Sequence, residues 1–168
     1  MSSANQREHL MNYLDTVQEP ETALRVKTIL VAVDLSSHSE RTVTYAVSIA
    51  RQFGASLKLI HVYVPPSAVE FGSEDMCRLL EEGRRDAERR LTNLTSQIRA
   101  KYPNCQSLFA NGDPAEQVTR AAATMKADLI VVGRHHHTLF GDFFKLDQAP
   151  KIIHRARCPV LVWEDDDN

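Results

Sequence analysis

Apolar residues fall along the chain in two rhythms: short continuous runs, and stripes at spacings of three and four. Lys27 to Val33 is a nearly unbroken run of aliphatic and β-branched residues, the composition of a strand covered on both faces. Asp34 ends it. Ser37-His-Ser-Glu40 has the spacing of a capping box, and Val43, Ala46, Val47 and Ala50 then mark one helix face. Gly54 follows where a left-handed cap residue is wanted. A second strand is predicted over Ser56 to Val64, stopped by Pro65-Pro66. Ser73 is placed to cap a long helix whose buried stripe is Met76, Leu80, Gly83, Ala87, Leu91, Leu94 and Ile98. A short third strand runs from about Cys105 to Ala110.

Gly112-Asp-Pro-Ala-Glu116 is a strong helix start, with Asp113 as cap, Pro114 in the first turn and Glu116 three residues on. Val118, Ala121, Ala122 and Met125 give that helix its apolar face. A fourth strand, Asp128 to Val132, leads into a loop from Gly133 to about Gln148. A helix from Ala149 to Ala156 and a last strand, Val160 to Trp163, complete the pattern. Strands alternating with crossover helices imply an all-parallel sheet with right-handed connections, covered on both faces. Residues 1–26 are polar, with room for one short amphipathic helix, and read as an extension; 27–163 form the single domain, and 164–168 an acidic tail.

Composition narrows the function classes. The 168 residues suffice for one well-cored domain. A formal net charge of -2 supplies no basic field for nucleic acid. The basic residues Arg84, Arg85, Arg89 and Arg90 interleave with Glu81, Glu82, Asp86 and Glu88, as on a solvated helix with i,i+4 ion pairs. Cys77, Cys105 and Cys158 are odd in number and widely spaced, which suits a reducing compartment. No apolar run approaches membrane-spanning length, and the start lacks the pattern of a signal peptide. The expectation is a cytoplasmic protein without nucleic-acid or membrane partners.

Four segments, in order, carry a resemblance to the universal stress proteins. They are Thr28-Ile-Leu-Val-Ala-Val-Asp34 with the serines after it, Gly54-Ala-Ser-Leu-Lys-Leu-Ile-His-Val62, the Gly112-to-Glu116 helix start, and Ala127-Asp-Leu-Ile-Val-Val-Gly133 with the terminal Cys158-Pro-Val-Leu-Val162. The resemblance implies a Rossmann-like α/β domain with a five-stranded sheet of order 3-2-1-4-5. It also implies a homodimer, paired through the last strand Val160–Trp163, and a stress-response role as a binding or regulatory module rather than an enzyme.

The family divides into members that bind ATP and members that do not. Binders carry Gly-x-x-Gly, nine residues, then Gly-Ser or Gly-Thr after strand four. Aligned on Gly133, the second glycine of that motif falls on His136, the third on Leu146 and the hydroxyl residue on Asp147. Glycine lets the backbone approach phosphate oxygens closely, and bulkier residues do not. A carboxylate at the start of the last helix would cap that helix and repel an anion there. Two like charges about 4 Å apart at an effective dielectric near 20 repel by roughly 4 kcal/mol, about three decades of affinity. The expectation is therefore a universal stress protein without ordinary ATP binding and without a required cofactor. The alternative is an ATP- or adenine-nucleotide-binding member. Its site residues would be Asp34, Gly133, Arg134 and His136, with Lys145 nearby, and at most a weak ATPase activity.

A third reading takes His135, His136 and His137 as metal ligands with Asp34 and His38, since imidazole binds zinc, copper and nickel. Adjacent loop residues do not readily aim three rings at one ion, so exposed loop histidines are the simpler reading. His61 reads as a packed sheet residue and Cys158 as an inert thiol. Phe140, Phe143 and Phe144 crowd the last loop and are expected to fill a cleft or dock on another surface.

Overall fold

The structure, a computed structural model, describes residues 24–65, 74–134 and 148–164; for 74–76 and for Arg134 it describes the backbone alone. Outside these ranges lie the predicted N-terminal helix, Ser73, His135 to Asp147 with its histidines and phenylalanines, and the end of the acidic tail.

Among the described residues nine elements alternate: β1 (Thr28–Ala32), α1 (Ser37–Phe53), β2 (Ser56–Tyr63), α2 (Glu74–Lys101), β3 (Cys105–Asn111), α3 (Pro114–Met125), β4 (Leu129–Arg134), α4 (Ala149–Arg155) and β5 (Val160–Glu164). All pairings are parallel, in the order β3-β2-β1-β4-β5, as the resemblance implied. The chain works outward from β1 through β2 to β3, then returns to β4 on the other side of β1. The switch point thus lies between β1 and β4.

Two cores sandwich the sheet. Val43, Ala46, Val47 and Ala50 of α1 and Leu91, Leu94 and Ile98 of α2 bury one face, against Ile29, Val31, Leu57, Leu59 and Val131. Val118, Ala121 and Ala122 of α3 and Ala149 and Ile152 of α4 bury the other, against Leu30, Ile60, Ile130 and Val132. Neighbouring β1 residues therefore serve opposite cores, which is why its sequence reads as an unbroken apolar run rather than an alternation.

The helix ends follow their predicted chemistry in most places. Gly54 closes α1 at φ 65°, in the left-handed region. Asp113 caps α3, its Oδ1 accepting from the Glu116 N–H at 2.8 Å. Asp128, expected to open the fourth strand, instead precedes β4. Its Oδ2 accepts from the N–H groups of Lys27 and Thr28 at 2.8 and 2.9 Å and ties the amino ends of β1 and β4 together. On α2, Glu81 pairs with both Arg84 and Arg85, and those hydrogen bonds hold its carboxyl at about 2. Gly83, counted in the apolar stripe, has a different reason to be small. A Cβ there would sit 3.2 Å from the Tyr63 hydroxyl, which donates to the Leu80 carbonyl at 3.2 Å.

Candidate functional site

Open parallel sheets bind ligands outside the carboxyl ends of their strands, at the switch point. Here that place is bounded by Asp34 after β1 and by Gly133 and Arg134 at the end of β4. Ala32 pairs with Val132, so β1 and β4 deliver these residues to the same end of the sheet, one strand spacing apart. Sequence reasoning placed Gly133 at the start of a loop. It lies inside β4, paired with Trp163, while Arg134 pairs with Glu164. The extra two rungs come from β5, whose own ladder runs on to Glu164. His136 lies outside the described residues.

The β1–α1 turn is built around the Asp34 carboxylate. Its Oδ1 accepts from the Ser36 N–H at 2.9 Å, from the Ser36 hydroxyl at 2.6 Å and from the Ser39 hydroxyl in a short bond. The Asp34 N–H in turn donates to Ser39 Oγ at 2.9 Å. The bond from Asp34 to the amide two residues on is the Asx turn that favours aspartate in tight connections. Ser36, not Ser37, is the N-cap, its Oγ accepting from the Ser39 N–H at 3.3 Å. The capping-box reading therefore fails by one residue, and Glu40 is not its partner. The helix starts one residue earlier than the sequence pattern placed it, with Ser37 already inside it.

Leu35 completes the turn with φ 63°, a left-handed conformation that costs a non-glycine residue about 1–2 kcal/mol. Two anchors hold it there. Its side chain is buried in the α1–α2 core. Its carbonyl accepts from Arg90 Nη2 of α2 at 2.6 Å. Two residues earlier, the Val33 carbonyl lies 2.8 Å from His61 Nδ1. A carbonyl only accepts, so Nδ1 carries the proton. His61 is 6% exposed, and burial pushes its pKa below the ordinary value of 6.5. The Val33 bond and Asp34 oppose that shift, and Arg90 adds to it. The imidazole is neutral at neutral pH. Its reading as a packed sheet residue agrees with this, although the bond to the β1 end gives it a definite role. Ser36, Ser39 and Arg90 escaped sequence reasoning. Only the two serines left a local signal, and it was read one position late.

Beyond the loop expected after β4, α4 begins with Gln148 at the cap position, and its side chain makes no capping bond. The capping role proposed for Asp147 belongs by position to Gln148. No group of three His, Cys, Asp or Glu residues suited to a metal occurs among the described residues, and His135 to His137 lie outside them. Burial pushes the thiols of Cys105 and Cys158 up, away from the reactive thiolate form. No helix among the described residues is long and apolar enough to cross a membrane.

The doubly wound sheet, with an anchored turn at its switch point, defines a Rossmann-like α/β domain. The chain belongs to the universal stress protein family: the model described as "Universal stress protein family" matches residues 25–163. A universal stress protein of Thermus aquaticus is 35% identical over 139 residues, 81% of this chain and 97% of its own. Universal stress protein A of Escherichia coli K12 is 32% identical over 143 residues, 81% of this chain and 92% of its own. The solved UspA of Lactobacillus plantarum superposes with a TM-score of 0.67 at 25% identity, covering 84% of this chain and 99% of that one. Two further solved universal stress proteins, each 22% identical, share the fold. One is a complex with cAMP (TM-score 0.61) and one, from Archaeoglobus fulgidus, a complex with dAMP (TM-score 0.56). Each covers 83% of this chain and 98% of its own.

Proposed function

We propose that this universal stress protein is a homodimeric binding module rather than an enzyme. In this reading its switch-point crevice takes the adenosine part of an adenine nucleotide without a triphosphate cradle. The observation that carries the reading is the Asp34 turn, locked by two serines at the mouth of the crevice. A rigid turn that presents a carboxylate and backbone groups suits the hydroxyls and ring nitrogens of a nucleoside, and holding it in place limits the ordering cost of binding. Family structures solved with cAMP and dAMP support that ligand class. The replacement of the second and third phosphate-loop glycines by His136 and Leu146, with Asp147 after them, argues against a further gain from β- and γ-phosphates.

Calorimetric titration of the purified protein with AMP, ADP and ATP tests this. The expected result is measurable AMP binding, with ATP no tighter than AMP. ATP binding ten-fold tighter than AMP would mean that a phosphate cradle persists, and no binding by any of the three would remove the nucleotide reading.

The dimer is proposed through β5, an edge strand with Val162 exposed and the Trp163 ring stacked on Tyr45 at 6.1 Å. An exposed apolar edge strand offers unpaired backbone groups to a second copy. Light scattering should give a dimer mass for the wild type and a monomer for Val162→Lys; a wild-type monomer would refute the dimer.

A further inference from the structure

We infer that Arg90, on α2, is the positioning residue of the β1–α1 turn and thereby sets ligand affinity at the crevice. This rests on the nucleotide reading above. Leu35 holds a left-handed backbone that leucine does not favour. Its carbonyl points to Arg90 Nη2 at 2.6 Å, a charge-assisted bond between residues 55 apart in sequence. The residues on either side of Leu35 are those that build the turn: Asp34 accepts the bonds, and Ser36 donates two of them.

Release of the Leu35 carbonyl lets this peptide unit rotate toward the ordinary right-handed region. That rotation moves the Asp34 carboxylate and the Ser36 N–H together, because they are bonded to each other across Leu35. Arg90 is itself exposed on the flank of α2, so its place in the helix does not require the contact. Its neighbours Arg84, Arg85 and Arg89 pair with carboxylates of α2, whereas Arg90 reaches across to the turn. Arg90 thus adds a polar tie between the long second helix, which packs mainly over β2 and β3, and the switch-point loop, beside the shared core that buries Leu35.

The test uses the full chain and three proteins: wild type, Arg90→Met and Arg90→Lys. AMP affinity is read by calorimetry, and exchange of the Ser36 and Ser39 amides by hydrogen exchange. Arg90→Met should weaken AMP binding by roughly ten-fold, the loss of one charge-assisted hydrogen bond. It should also speed exchange at Ser36 and Ser39 and leave exchange in β4 unchanged. Arg90→Lys, which keeps a cationic donor, should restore most of the affinity. Wild-type protein that binds no AMP removes the nucleotide reading and this inference with it. Wild-type protein that binds AMP, with Arg90→Met equal to it in affinity or in turn exchange, overturns the inference alone. Uniformly faster exchange across the domain in Arg90→Met also overturns it, because Arg90 would then be a global stabiliser.

Discussion

Ser39→Ala should destabilise the domain far more than a serine-to-alanine change at an ordinary helix position. Ser39 is 3% exposed and its hydroxyl makes two bonds, accepting from the Asp34 N–H at 2.9 Å and donating to Asp34 Oδ1. Removal of the hydroxyl takes away the acceptor of a part-buried backbone N–H, which costs about 1–3 kcal/mol. Loss of the bond to the carboxylate adds about 1 kcal/mol rather than more, because Oδ1 keeps the Ser36 N–H and hydroxyl. The higher helix propensity of alanine returns about 0.5 kcal/mol. The net loss is about 2–3 kcal/mol. With a urea slope of about 2 kcal/mol/M, the midpoint should fall by about 1–1.5 M. Ser48→Ala is the control. That side chain lies on the exposed face of α1 and bonds only back to the Thr44 carbonyl at 3.2 Å, so its change should stay within about 0.5 kcal/mol. Equal midpoints for the two variants would show that the Asp34–Ser39 pairing contributes no net stability, and the account of a locked turn would fall with it.

Three further outcomes follow from the fold. His61 is buried with a pKa below 6.5, so between its folded and unfolded values the unfolded chain binds more protons. Its contribution is whole above about pH 6.5 and is lost as pH falls through that window, at no more than about 1.4 kcal/mol per unit. Urea unfolding at pH 7.5 and 5.5 should show wild type losing more stability on acidification than His61→Gln, and equal losses would contradict the burial argument. Gly83→Ala should be nearly neutral in wild type, because about 1 kcal/mol of helix propensity is offset by displacing the Tyr63 hydroxyl. In a Tyr63→Phe background the same change should gain that ~1 kcal/mol in full, and a double-mutant cycle with no coupling would show that the hydroxyl is not the constraint. Asp113→Ala removes the α3 cap and an exposed 3.2 Å pair with Arg155; the melting curve should report a loss of about 1 kcal/mol, nearly all of it from the cap. A loss largely abolished by high salt would assign it to the ion pair instead.

The elements were legible in the sequence because each signal was local. The continuous run at Ile29 to Val33, the stripe through Leu91, Leu94 and Ile98, and the Asp113-Pro114 start each lie within a few residues, and each reappears as read. Strand order was not local and came from resemblance. The β1–α1 turn was misread for a physical reason. Ser36, Ser37 and Ser39 are chemically equivalent caps in a one-dimensional pattern, and only the bonds to Asp34 select among them. Arg90 was invisible because its partner is a backbone carbonyl 55 residues away, and a carbonyl leaves no mark in the sequence. In the sequence it was one more charge on a solvated helix, and its neighbours Arg84 and Arg85 do behave that way.

The site divides into two halves with different physical origins. The Asp34 half is held from within the domain: by two serines of the same turn, by His61 from β2 and by Arg90 from α2. The half that would meet phosphates follows Gly133, whose backbone is committed to the β4–β5 ladder opposite Trp163. The named bonds of the Asp34 half take their donors and acceptors from residues 33–90, so positions 136, 146 and 147 supply none of them. A chain of this family can lack the second and third phosphate-loop glycines and still form these bonds at the switch point. On the proposed nucleotide reading, loss of the glycine pattern thus bears on how many phosphates the site accepts; it does not by itself argue for an empty site.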